Sequence, residues 1–388
     1  MNLKDLAAKL PETVPPSKTW IYHLIRNSEF KISSPQQIEF DRRHSCNVAV
    51  IYFYHMLHQH LFERPPSHIL NMDETMLTAK RRLKVLARKG RLPLIPEAVK
   101  VPHFTGCVTF TASGHLFDPL IILPNKKTLR TLIEYSGLSY FAGTMAGWQT
   151  SNTFIYYCLL LVCQISSYRL TLPEKTRNER FLLLVDGHPS RFTFKGCLIL
   201  YLFDIDLVLL PPHTSHLLQP FDVAVAASLK TNFKEELITE RFDSYVLQGI
   251  DISKQTAVEL RNSMIKSFIN ALRKSSSLHN IESGFRKSGI LPLNVMEPLK
   301  SQFAIDSNTI NDNESLLRNY WLNCESGLVE LFQKENGHLP TESDFDINLV
   351  DVLKDLKNAS IEEGKALSIL PPLIIEDNGV LKTVCLDC

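Results

Sequence analysis

Phe181-Leu182-Leu183-Leu184-Val185-Asp186 is an unbroken apolar run that ends on a carboxylate. A short segment that is apolar on both alternating sides suits a strand buried on both faces at the centre of a sheet. Outward from it, further short β-like runs are bounded by turn residues: Ile69 to Met72, Phe104 to Thr111, Leu116 to Leu123 with an internal proline, and Leu207 to Leu210 before Pro211-Pro212. Ser113-Gly114 reads as a hairpin turn between the second and third of these. A helix is expected from about Asn152 to Tyr168, capped by Ser151 or Asn152, with a shorter helical segment between the last two strands. A meander of strands followed by crossover units predicts an α/β fold, a mixed five-stranded sheet flanked by helices.

The chain has 388 residues, 44% of them hydrophobic, enough for a sizeable core. The formal charge is +1, so a polyanionic partner would have to meet local basic patches. Eight scattered cysteines predict free thiols in a reducing compartment. The charged start, MNLKDLAAKL, is unlike a signal peptide. The longest apolar runs, Tyr156 to Ile165 and Leu198 to Ile205, fall short of the roughly 20 residues of a membrane span. A soluble intracellular protein is expected.

Four regions are predicted: a helical N-terminal segment over 1–60, the strand-rich core over 61–245, a helical extension over 246–300, and an acidic, Asn-rich tail over 301–388. In the first, Trp20, Ile21, Leu24 and Ile25 recur as on one helix face, and a second helix is expected from Pro35 to Leu61.

Three aspartates stand out by placement. Asp73 follows Ile69-Leu70-Asn71-Met72, Asp186 ends the central run, and Asp222 lies just past the proline-marked helix start at Pro220. A carboxylate at a buried strand end has lost much of its water and needs a counter-charge. Three such groups converging from two strands and a helix suit a two-metal phosphodiester site, with Mg²⁺ or Mn²⁺ ions about 3.5–4 Å apart. An aspartate after an apolar strand is ordinarily a turn or cap residue, so spacing alone leaves the triple open.

Longer strings bear on that choice. Asn71-Met72-Asp73-Glu74-Thr75, Leu183-Leu184-Val185-Asp186-Gly187-His188-Pro189-Ser190 and Leu210-Pro211-Pro212-His213-Thr214-Ser215-His216-Leu217-Leu218-Gln219-Pro220-Phe221-Asp222-Val223 occur in this order. They resemble the first-, second- and third-aspartate blocks of the pogo/Tigger/jerky DDE transposases, within the wider Tc1/mariner-like group. Gly147-Trp148-Gln149-Thr150-Ser151 and Phe285 to Asn294 are lesser matches, and the 36 positions from Asp186 to Asp222 fit the family's close pair. The resemblance spans about residues 15 to 300.

It implies an RNase H-like fold with helical N- and C-terminal additions, and a metal-binding catalytic triad of Asp73, Asp186 and Asp222. It also implies Mg²⁺- or Mn²⁺-dependent DNA cleavage with strand transfer, DNA as partner, a homo-oligomer on DNA, and a nuclear location. No membrane partner is expected.

The basic patch Lys80, Arg81, Arg82 and Lys84 with Arg88, Lys89 and Arg91 is expected to grip DNA phosphates, extended by Lys126, Lys127 and Arg130. An ordinary solvated face is the plainer reading of the same charges. His213 and His216 read as loop residues ordering the approach to Asp222, not zinc ligands. Alternation along the strand points Glu74 away from Asp73.

The sequence also departs from the family pattern. Ala224-Val225-Ala226-Ala227-Ser228 replaces a stretch that commonly opens with Gly, and Arg191 stands where the family often has His. Before the core, only Ser17 to Arg26 resembles the last helix of a helix-turn-helix DNA-binding region. A truncated or domesticated derivative, a catalytically inactive DNA-binding or chromatin protein, is therefore the alternative expectation.

Overall fold

The computed structural model describes residues 47–61, 64–79, 103–124, 139–246, 256–300, 322–341, 373–377 and 380–383. The chain divides into two compact units, Met1–Arg43 and His44–Cys388. Every described residue lies in the second. The expected helix at Trp20 to Ile25, the basic residues Lys80, Arg81, Arg82, Lys84, Arg88, Lys89 and Arg91, and the extension at Lys126, Lys127 and Arg130 lie outside the described residues.

The elements in chain order are α1 (Asn47–Leu61), β1 (Ile69–Thr78), β2 (His103–Thr111), β3 (Leu120–Pro124), β4 (Tyr140–Thr144), α2 (Ser151–Arg169), β5 (Phe181–Val185), α3 (Phe194–Leu202) and β6 (Ile205–Leu209). A single turn, α4 (Ser215–Leu218), is followed by a π-helical turn, Phe221–Val225, that runs into α5 (Ala226–Val246). Then come α6 (Ala257–Ser275), α7 (Leu278–Lys287), α8 (Met296–Leu299), α9 (Glu325–Asn336), β7 (Leu373–Asp377) and β8 (Val380–Thr383).

The strands form one sheet in the order β6-β5-β1-β2-β3-β4-β7-β8. β1, β2 and β3 make an antiparallel meander, while β5 runs parallel to β1 and β6 parallel to β5. That five-stranded arrangement is the expected RNase H-like core, with β1 at its centre. Three strands extend it beyond β3, beginning with β4, which pairs parallel to β3 from Leu120↔Tyr140 to Pro124↔Thr144. The turn at Ser113-Gly114 is present, with Gly114 at φ +93° and its N–H donating to Thr111 O at 3.0 Å.

Alternation along the strands separates two cores. Ile69 and Leu77 of β1 and Leu182 and Leu184 of β5 pack on one face, with Phe221, Val225 and apolar residues of α5, α6 and α7. Leu70 and Met72, with Phe181, Leu183 and Val185, pack on the other, against α2, α3 and α9. Sheets covered on both faces need continuous apolar runs at their centre, which is what β5 supplies.

Helix α2 is capped one residue earlier than expected. Thr150, not Ser151 or Asn152, accepts the Thr153 N–H, and Thr153 caps it in return. On the outer edge of β6, Leu322 N–H donates to Leu207 O at 3.0 Å. Asn323 Oδ1 accepts Leu207 N–H at 2.8 Å and its amide donates to Ile205 O at 2.7 Å. Part of the region after Ser301 thus covers an edge that would otherwise offer unpaired backbone groups.

Candidate active site

Asp73 sits in mid-β1, Asp186 immediately after β5, and Asp222 in the π-helical turn. Asp73 falls in the odd-numbered series of β1, on the face that packs α5, α6 and α7, and Asp186 follows directly on the end of β5, the parallel neighbour of β1. The turn bearing Asp222 packs on that same face through Phe221 and Val225. Single π turns inside helices recur at functional sites. The three sequence-predicted aspartates are therefore carried by three neighbouring elements: β1, the end of β5 and the turn whose Phe221 bonds to Asn71 of β1.

Their burial differs. Asp73 is buried, the Asp186 side chain is 31% exposed, and Asp222 is exposed. Burial, followed by the charges of Asp222 and Asp186, holds the Asp73 carboxyl well above its ordinary range.

The residue that joins the three elements is Asn71, fully buried two positions before Asp73. Its amide donates to Leu184 O at 3.0 Å, and its Oδ1 accepts the Phe221 N–H at 2.9 Å. Buried Gln219 adds a second tie, its amide donating to Met72 O at 3.2 Å. Asn71 thus pins the strand before Asp186 and the turn carrying Asp222 to the strand carrying Asp73. A buried polar group is costly unless it is bonded. Here the side chain of Asn71 is bonded at both ends.

Arg191 lies in the short turn Pro189–Arg191 after β5, a turn capped by His188, which accepts the Ser190 N–H at 3.3 Å. Its side chain is entirely buried. Nη2 lies 2.6 Å from Glu74 Oε1 and 3.1 Å from Asp186 Oδ1. Nη1 donates to Gln149 Oε1 and, at 2.9 Å, to Ser190 Oγ. The guanidinium carbon sits 5.1 Å from the centre of the Phe154 ring. Burial alone would lower the pKa of this guanidinium, but the charges of Glu74 and Asp186 outweigh it and raise the value. Glu74 does turn to the opposite face from Asp73, as alternation requires, and from there it reaches Arg191. That contact is a close ion pair, because Glu74 Oε1 lacks an in-line hydrogen bond.

The donors are hard carboxylate oxygens, the chemistry that Mg²⁺ and Mn²⁺ favour over softer ions. Among the described residues, however, no three His, Cys, Asp or Glu side chains are placed as a group that could hold a metal ion. Asp186 Oδ1 is engaged by Arg191, and Asp73 Oδ1 accepts the Glu74 N–H at 2.7 Å.

The roles of Asn71, Gln219, Arg191 and Gln149 go beyond the sequence reading. For Asn71 the signal was available: an amide inside an apolar strand at a buried register position. His213 takes a left-handed backbone, φ +62°, in the loop leading to α4.

Residues 105–285 match the family model of the DDE superfamily endonucleases. The match includes Asp186 and Asp222 and begins after Asp73. A curated protein, "MFS-type transporter clz9" of Cochliobolus lunatus, is 32% identical over 212 residues, 53% of this chain and 21% of that protein. The chain therefore spans about a fifth of the length of that relative. Among the described residues no helix is long and apolar enough to cross a membrane. The Mos1 mariner paired-end complex with Mn is a similar solved structure, at 13% identity and TM-score 0.40, covering 71% of this chain and 70% of that one. The catalytic domain of Mos1 mariner transposase is another, at 13% identity and TM-score 0.30, covering 63% of this chain and 98% of that one.

Proposed function

We propose, from the match of residues 105–285 to the DDE superfamily endonuclease model, that the chain is a transposase-type nuclease that cuts DNA strands and joins the resulting 3′-OH ends to a target, within the pogo/Tigger branch of the Tc1/mariner-like group. What supports this reading is Asn71, whose side chain ties the strand that leads to Asp186 and the turn that carries Asp222 to the strand that carries Asp73.

In this reading Asp73, Asp186 and Asp222 would hold Mg²⁺ or Mn²⁺, which would supply Lewis acidity for the attack of an oxygen on the phosphodiester. The chain's own contribution is placement. Asp73 presents a desolvated carboxylate from the rigid central strand, Asp186 follows from the adjacent strand end, and Asp222 closes the site from the helical side. DNA phosphates would be gripped by Lys80, Arg81, Arg82, Lys84, Arg88, Lys89 and Arg91 close after Asp73 in sequence, giving salt-dependent binding. The protein would act as a homo-oligomer on DNA in the nucleus.

The test is nicking of a supercoiled plasmid with Mg²⁺ or Mn²⁺, run beside Asp186→Asn. Nicking lost in the variant supports a metal-dependent nuclease, and joining of 3′ ends to a second DNA separates a transposase from a simple nuclease.

One observation favours a second reading, a domesticated DNA-binding protein without catalysis. Asp186 is paired with a buried guanidinium, and that pairing competes with metal binding. Metal-independent DNA binding with no nicking above Asp186→Asn would support it.

A further inference from the structure

We propose that Glu74 and Arg191, acting through Asp186, set the affinity of the site for its divalent cation, with Glu74 tuning the metal from the opposite face of the sheet. The inference rests on the reading of Asp186 as a metal ligand. Both residues are positioning residues, and neither is placed to touch the reacting atoms.

Arg191 is a cation built into the fold. Its side chain has no exposure, Gln149 and Ser190 fix one nitrogen, and the Phe154 ring covers the guanidinium. It cannot swing out to solvent when a metal arrives. The other terminal nitrogen, Nη2, is divided between two carboxylates, Glu74 at 2.6 Å and Asp186 at 3.1 Å.

A guanidinium hydrogen-bonded to a carboxylate oxygen occupies lone pairs that a cation needs, and its charge repels that cation through a medium of reduced dielectric. Glu74 is the closer partner. It neutralises Arg191 and leaves Asp186, 31% exposed, with an oxygen free to be shared. The balance between the two contacts therefore decides how much of Asp186 is offered to the metal.

The direction of each perturbation follows. Glu74→Gln keeps the shape and an acceptor oxygen but removes the neutralising charge, so Arg191 transfers its full charge to Asp186 and metal binding weakens. Arg191→Met alone would leave the half-buried Glu74 without its cation and endanger folding. The informative variant is therefore Glu74→Gln/Arg191→Met, which removes both charges together.

The experiment is Mn²⁺ titration of the full chain, followed by calorimetry and by electron paramagnetic resonance of the free ion. Asp186→Asn serves as the ligand control. Relative to wild type, Glu74→Gln is expected to bind Mn²⁺ about tenfold more weakly, the scale typical of groups that orient metal ligands. The double variant is expected to return to wild-type affinity or tighter. In nicking assays the metal concentration giving half-maximal rate should shift by the same factor while the rate at saturating metal stays unchanged. A purely structural Glu74 would instead lower that plateau.

A folded Glu74→Gln protein with wild-type Mn²⁺ affinity overturns the proposal and leaves the nuclease reading standing. Equal Mn²⁺ binding by wild type and Asp186→Asn overturns both, since Asp186 would then not be a ligand.

Discussion

Asn71 accepts the backbone N–H of Phe221 at 2.9 Å, which fixes the residue before Asp222 to the strand that carries Asp73. The same side chain donates to Leu184 O at 3.0 Å, two residues before Asp186. Replacing Asn71 with Ala strands two buried backbone groups, each costing about 1–3 kcal/mol when left unbonded. Asn71→Ala is expected to lose about 2–4 kcal/mol in urea unfolding. Its nicking activity should fall further than the unfolded fraction explains, because the three carboxylates lose their common frame. Asn71→Asp keeps the acceptor for Phe221 but loses the donor and adds a fourth carboxylate beside Asp73. It should be the less active of the two per folded molecule, and the opposite order would refute the positioning role.

Gly284 supports the same turn from the outside. A Cβ built there would lie 2.5 Å from Pro220 O, a backbone atom that cannot rotate away. Helix α7 approaches the start of the Asp222 turn this closely only because the residue is glycine. Gly284→Ala must push the two elements apart, at a cost of about 1–3 kcal/mol for overpacking. The displaced partner carries Asp222, so nicking is expected to fall more than in a control of equal stability loss. Phe104→Leu, which repacks the distant contact with Phe268, is a suitable control.

How much of this was legible beforehand depends on the range of the interactions. β5 reads directly from Phe181 to Val185 because a doubly buried strand must be apolar at every position. β1 is longer than Ile69 to Met72, continuing through Asp73-Glu74-Thr75 to Thr78, because its second half is specified by pairing with β2 and not by its own hydrophobicity. β4 escapes notice for a similar reason: Ala142 and Gly143 have little intrinsic strand preference, and the strand exists through its parallel pairing with β3. The cap of α2 differs by a single residue, among three adjacent candidates that all have capping side chains. Placement of Asp73 on the face that packs the Asp222 turn follows from alternation along β1. The chain's use of Asn71 and Arg191 does not, because their partners at Leu184, Phe221 and Gln149 lie 113, 150 and 42 positions away.

His68 gives the fold a pH dependence of predictable sign. It is fully buried and stacks on Phe181, with ring centres 4.3 Å apart. Burial lowers its pKa from the ordinary 6.5 to about 4. The folded state thus holds this imidazole neutral where the unfolded chain would take up a proton. Its contribution to stability is complete above pH 6.5 and is lost as pH falls toward 4. After allowance for screening the loss is about 2 kcal/mol. Wild type should therefore melt at a lower temperature at pH 4.5 than at pH 7.5, and His68→Gln should narrow that gap. An equal gap in the variant would assign the acid sensitivity elsewhere.

Asp73 predicts the opposite dependence and links stability to the metal. Burial first, then the charges of Asp222 and Asp186, raise its carboxyl well above the ordinary 3.8. An acid whose pKa is higher in the folded state favours the fold while it is protonated. That contribution is present below the unfolded value and is lost as pH rises through the folded one. At neutral pH the metal-free protein therefore carries a cost at this site, which a bound cation would remove. Asp73→Asn keeps the shape without the charge, so it should raise the melting temperature of the metal-free protein by a few degrees, about 1 kcal/mol. Mn²⁺ should raise the melting temperature of wild type and leave the variant nearly unmoved, since binding to the folded state alone stabilises by mass action. A metal-free Asp73→Asn that melts below wild type would mean that Asp73 serves the fold and not the metal.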